Sequence, residues 1–228
     1  MGGSQIAKMA TEFRVEQMKE LGGGKLKDMA KNMEDDNFKE MGGVQIAKMA
    51  KEFKDEHMKD LGGGKLKDMA KNMEADHFKE LGNDSAKGMA KTMEGKHLSS
   101  LGSDQLVGLA TGIRAKEIIE IGNERLVAMV GKIDNQSVGS IGVKHLSSMM
   151  GGIKGNEIGK LDETKKVSIV KNLDADFFAT GKTTFDEIES STNQSSRPTI
   201  SKTDVGKTKI GSTQQAKSVF SAVGLFGS

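Results

Sequence analysis

The 228 residues predict an all-α protein, a right-handed α-solenoid of nine 20-residue two-helix repeats followed by a flexible tail. Three observations lead there. Residues 61–80, LGGGKLKDMAKNMEADHFKE, repeat residues 21–40 with two changes, Asp35 to Ala75 and Asn37 to His77. From Met1 the chain divides every 20 residues into nine units that align without insertion or deletion. Within each unit the apolar residues are spaced for helices, and no period of two suggests a strand.

Position 1 of each unit is a large aliphatic residue, from Met1 and Leu21 to Leu161, and position 2 is Gly in every unit but the last, which has Asp162. Positions 6, 9, 10 and 13 lie on one face of a first helix, helix A. Position 18 and the next position 1 share a face of a shorter helix B. Gly at position 2 offers the φ > 0 that a helix stop needs at no steric cost. Positions 3 and 4 offer N-cap residues in the later units: Asn83, Asp84, Ser103, Asp104 and Asn123. Acidic residues within 34–36, 74–76 and 174–176 open helix B, where the helix dipole favours them. Helices shorter than about 12–15 residues are marginal alone, so each unit is expected to bury its stripe on its neighbours.

Charge adds a finer period. Position 8 alternates Lys8, Asp28, Lys48, Asp68, and position 14 alternates Arg14, Glu34, Lys54, Glu74. Side-by-side units would turn these columns into ladders of opposite charge that set register, although each exposed pair contributes only about 0–1 kcal/mol. From Leu101 onward charges give way to Gly and small residues, and apolar pairs appear at Ile118–Ile119 and Met149–Met150. The expectation there is either a looser core or a protein-contact face. The ends differ too. Unit 9 loses Gly at position 2 and carries Lys166 at position 6, as a capping unit should. Unit 1 closely matches unit 3, and is expected to leave Met1, Ile6, Met9 and Phe13 open to a partner.

The two short helices and their Leu–Gly corner resemble, in style, the helical hairpins of the cytoplasmic N-terminal domain of magnesium transporters and of the flagellar switch protein. Those families use a Leu-Pro-x-Glu corner where this chain has Leu21-Gly22 and Leu61-Gly62. The resemblance covers residues 1–180 in pattern. It implies the α-solenoid and carries no site and no function.

After Thr180 the frame is lost. The expected domains are therefore a solenoid over 1–180, a flexible linker over 181–211 and a short amphipathic segment over 212–228. Phe185 and Ile188 are placed to cover unit 9. Val219, Phe220, Val223, Leu225 and Phe226 form an apolar motif suited to docking on a protein.

Composition narrows the chemistry. Lys and Arg number 34 against 32 Asp and Glu, too even a balance to drive nucleic-acid or acidic-membrane binding. With no cysteine there is no disulfide and no thiol chemistry. The first residues do not read as a secretory signal, and Ile6 stands where a myristoylation signal wants Ser or Thr. No stretch is apolar enough to suggest a membrane span, so a cytoplasmic protein is expected. His57, His77 and His97 occupy position 17 of successive units, with Glu56 and Asp76 beside them. They are the metal candidates, yet ligands on successive units form a ladder, whereas a metal site needs ligands that converge on one ion. GGGK at 22–25 and 62–65 lacks the spacing of a phosphate loop. No nucleophile–base set emerges, so no catalytic residue and no cofactor is expected.

Two functions follow. The first is a non-enzymatic structural, scaffolding or protein-interaction protein that binds another protein or copies of itself. The alternative is a ligand- or metal-binding regulatory module, using the position-17 histidine and carboxylate column for metal or the KLKDMAKNM lysines for phosphate-bearing partners.

Overall fold

A computed structural model describes residues 2–173. Met1, the linker 181–211 with Phe185 and Ile188, and the segment 212–228 with Val219, Phe220, Val223, Leu225 and Phe226 lie outside the described residues. Among those described, the protein is all-helical and has no strand. Helix A spans Gly3–Thr11 in unit 1, Gly43–Lys51 in unit 3 and Asn83–Thr92 in unit 5. It continues as Ser103–Gly112, Asn123–Lys132, Val143–Gly151 and Glu163–Asn172 in units 6 to 9. Helix B spans Asp35–Met41 in unit 2 and Ala75–Leu81 in unit 4. Val15–Lys31 and Asp55–Lys71 each run helix B of one unit into helix A of the next across a kink, at Gly22 and Gly62. In the later units helix B shortens to Gly95–Leu98 and Gly155–Gly159, or tightens to 3-10 geometry at Ala115–Ile121 and Val138–Ile141.

The glycine stop is present where it is needed. Gly22, Gly42, Gly62, Gly82, Gly122 and Gly142 have φ between 72° and 92°. Their ψ lies near 155°, as at Gly42 (153°) and Gly82 (160°), a region only Gly enters freely. In each of these units helix B reaches position 1, so the chain must turn within a single residue. Gly102 (φ −74°) and Asp162 (φ −64°) are ordinary extended residues. Helix B has already ended there, at Leu98 and Gly159. That is why unit 9 tolerates Asp at position 2.

The expected columns form one core. Leu26, Ala30, Met33, Phe38, Ile46, Met49, Leu66, Met69, Ala70 and Phe78 are all at or near zero exposure. Position 7 joins the core in units 1 and 3, where Ala7 and Ala47 are fully buried, and alternates with Lys27 and Lys67 in units 2 and 4, which the aliphatic pattern does not signal. Ile118, Met149 and Met150 sit in regular core columns and are buried; only Ile119 of those pairs is exposed, at 50 %.

Helix B makes two recurring contacts. It packs on helix A of the preceding unit, as Asp35–Met41 does on Gly3–Thr11 and Ala75–Leu81 does on Gly43–Lys51. It also packs on helix A two units later, as Ala75–Leu81 does on Ser103–Gly112 and Ala115–Ile121 does on Val143–Gly151. The second contact corrects two expectations. Position 8 faces helix B two units back and not position 8 next door, so the Lys8/Asp28/Lys48/Asp68 ladder does not form among the described residues. Asp28 and Asp68 pair with their own neighbours, Lys27 at 2.9 Å and Lys67 at 2.8 Å. Glu34 of the position-14 column lies 3.9 Å from Lys65. Two of the small residues likewise have a packing role rather than loosening the core. Gly88 and Gly108 are position-8 residues whose missing side chains admit Asp55 with Met58, and Ala75 with Phe78.

Candidate functional site

Each candidate side chain is placed by these helix contacts. The position-17 column caps helix B from within its own unit. His57 Nδ1 accepts the Lys54 N–H at 3.2 Å, His77 Nδ1 the Glu74 N–H at 2.9 Å and His97 Nδ1 the Glu94 N–H at 3.2 Å. Asn37 and Gln17 do the same through their side-chain oxygens, both at 2.8 Å. The ring therefore serves the free N–H of a helix start, and any chain atom there must be an acceptor. His57 also packs edge-on to Phe53, with centroids 6.4 Å apart, and its Nε2 lies 3.7 Å from Glu56. Among the described residues no group of three or more His, Cys, Asp or Glu could hold a metal ion. The Asn, Gln and His series at one position is explained by a shared acceptor.

From unit 2 to unit 5 the position-17 side chain lies against a glycine at position 3 of the unit before. A Cβ on Gly63 would stand 2.5 Å from His97 Nδ1 and 3.1 Å from the Thr92 carbonyl. Gly3, Gly23 and Gly43 face Asn37, His57 and His77 in the same way.

The later units reverse the arrangement. Asn83, Ser103 and Asn123 do not cap their own helices, as the sequence led us to expect; the N-caps are Gly82, Gly102 and Gly122. Their side chains reach forward instead. Asn83 accepts the Arg114 N–H at 2.7 Å, Ser103 the Asp134 N–H at 2.9 Å and Asn123 the Lys154 N–H at 2.8 Å.

A further column went unnoticed in the sequence. Position 5 carries Gln, Lys, Ser, Arg or His, and in units 3, 4, 5, 7, 8 and 9 it reaches a backbone carbonyl. The Gln45 amide reaches the carbonyls of Ala10, Thr11 and Phe13 at 2.8–3.1 Å. Lys65 donates to Met33, Ser85 to Lys51 at 3.4 Å, Arg125 to Met93 at 2.7 Å, and Lys165 to Ile133. His145 Nε2 lies 2.9 Å from the Ile113 carbonyl. All serve the C-terminal end of helix A two units back, where carbonyls lack helical partners. Burial pushes the Lys165 ammonium below its ordinary pKa. Gln45 Oε1 is buried with no partner, which costs about 1–3 kcal/mol. Lysine has three donors and no acceptor. Gln45→Lys is therefore expected to raise the urea midpoint and Gln45→Met to lower it; equal midpoints would contradict the orphaned oxygen.

Of the KLKDMAKNM lysines, Lys27, Lys31, Lys65 and Lys67 are engaged within the chain. Lys27 and Lys31 hold Asp60 at 2.7 and 2.6 Å. The same arrangement 60 residues on joins Lys87 to Glu117 at 2.7 Å and Lys91 to Glu120 at 3.6 Å. The hydrogen bond from Lys87, then that from Asn83, holds the Glu117 carboxyl down at about 2. A carboxyl with a depressed folded pKa adds stability above its unfolded value and loses it on acidification. The midpoint difference between wild type and Glu117→Gln is thus expected to close as pH falls from 4.5 to about 2. A constant difference would rule out the ion pair.

The remaining candidates lie in unit 1. Ile6 is 6 % exposed and so unavailable to a partner, a correction caused by its place in the core column. Met9 is 37 % exposed and Phe13 half-buried, whereas Met49 and Met89 at position 9 are fully buried. Val15 adds a second apolar residue at 37 %. A cavity of about 380 Å³ lies apart from unit 1, between units 3, 4 and 5, lined by Asp55, Lys59, Gly62, Gly63, Gly88, Lys91 and Thr92. It opens where position 8 is Gly88. No described helix is long and apolar enough to cross a membrane. With this geometry in hand, comparisons with known proteins add no relative: no family model, no curated protein and no solved structure matches the chain.

Proposed function

We propose that the chain is a non-enzymatic scaffold, a right-handed α-solenoid of nine 20-residue units whose surface binds another protein or a second copy. The recurrence of the position-5 bonds and of the two helix B contacts supports the solenoid reading. One observation carries the interaction. Met9 is 37 % exposed in a column that is otherwise closed from unit 3 onward, and Val15, also 37 % exposed, follows within the same unit. Exposed apolar residues close together in one unit suit a contact site; Val44, Ile119 and Val143 are exposed as well, but each stands alone in its unit. The apolar residues Val219 to Phe226 are a second contact element in this reading.

The test is sedimentation of the full chain over a wide concentration range, alongside Met9→Lys with Val15→Lys. Mass that rises with concentration in the wild type and stays monomeric in the variant supports the patch. Identical behaviour of the two removes it.

A further inference from the structure

The position-3 and position-17 columns are two halves of one joint, and the chain uses two incompatible versions of it. In units 1 to 5 the N–H that starts helix B is held by position 17 of the same unit, and in units 2 to 5 the position 3 before it must be Gly to leave room. In units 6 to 8 that N–H is held by the position-3 side chain of the unit before. Position 17 is then free to change, and Glu117 turns instead to the Asn83 amide and Lys87.

We propose that the boundary between units 5 and 6 is a conformational border. Before it, the start of helix B is complete within its own unit. After it, helix B is conditional on the neighbour that supplies its cap. The Lys154 N–H is exposed, so what its separation removes is a helix cap rather than a buried bond. Separating unit 7 from unit 8 therefore destabilises helix B of unit 8, while separating unit 4 from unit 5 leaves helix B of unit 5 capped by His97. The form of helix B agrees in part. It is a seven-residue α-helix in units 2 and 4 and a 3-10 segment in units 6 and 7, which lack their own cap. The self-capped unit 5 has only four helical residues and unit 8 keeps five in α geometry, so the border rests on the caps rather than on helix form alone. This inference is independent of what the surface binds.

Amide exchange followed by NMR on the full chain tests it. Asn123→Ala is expected to speed exchange of the Lys154 amide, in the next unit, by about tenfold, the factor that corresponds to about 1.4 kcal/mol. His97→Ala is expected to speed exchange of Glu94, in its own unit, and to leave Thr92 and the amides of unit 4 unchanged. A second experiment converts one joint into the other. Gly63→Asn alone lowers the thermal midpoint by crowding His97, and adding His97→Glu restores at least half of the loss. The proposal is overturned by an unchanged Lys154 amide in Asn123→Ala, or by losses from Gly63→Asn and His97→Glu that simply add.

Discussion

Phe78→Ala is expected to cost about 3–5 kcal/mol, the range for emptying an enclosed aromatic site. Phe78 is fully buried and sits at the contact of helix B in unit 4 with helix A in unit 6. The evidence for its enclosure comes from the other side of that contact. A Cβ on Gly108 would lie 2.8 Å from the Phe78 ring, and one on Gly112 would lie 2.7 Å from its carbonyl. The helix opposite is therefore already as close as glycine allows, and it cannot collapse further into the space the ring leaves. Phe13→Ala, at a half-buried position of unit 1, is expected to cost clearly less. Urea unfolding followed by circular dichroism gives both values. A loss at Phe78 no greater than at Phe13 would sink the claim that the two-unit contact is a principal source of stability.

The parts of this fold that could be read from sequence are those carried by one residue type in a column. Large aliphatics at positions 1, 6, 13 and 18 announce burial wherever the helix lies, and Ile46, Met73 and Phe38 are buried accordingly. Glycine at position 2 announces a stop because few other residues enter that backbone region. What stayed hidden is relational. Gln45, Lys65, Arg125 and His145 look unalike until the carbonyls they serve, 32 to 35 residues away, are known. Gly63 and His97 look unrelated until they are found against each other. The position-8 charges suggest a ladder for the same reason: their neighbour, helix B two units back, is not adjacent in the alignment of units. The candidate surface divides likewise. Membership of an apolar column could be read directly, but Ile6 turns out buried and Met9 exposed because the two face different neighbours.

Alanine at two helical glycines is expected to act with opposite sign. In isolation Gly→Ala stabilises a helix by about 0.5–1 kcal/mol. Gly64, near the start of helix A in unit 4, has nothing within 4 Å of the added Cβ, so Gly64→Ala is expected to gain roughly that amount. Gly108, mid-helix in unit 6, is met at 2.5 Å by the Ala75 Cα and at 2.8 Å by the Ala75 carbonyl. Those are backbone atoms, and no rotamer change can relieve the clash. Overpacking of a closed site costs about 1–3 kcal/mol, occasionally more, and here it forces helix A of unit 6 away from helix B of unit 4. The steric cost exceeds the helical gain, so Gly108→Ala is expected to destabilise by about 1–2 kcal/mol net, and Gly108→Leu by more. Because the same methyl group is added to both helices, propensity is common to the pair and the difference in midpoint reports the close approach alone. If Gly108→Ala stabilises as Gly64→Ala does, helix B does not rest on helix A two units later, and the small residues of units 5 and 6 have no packing role.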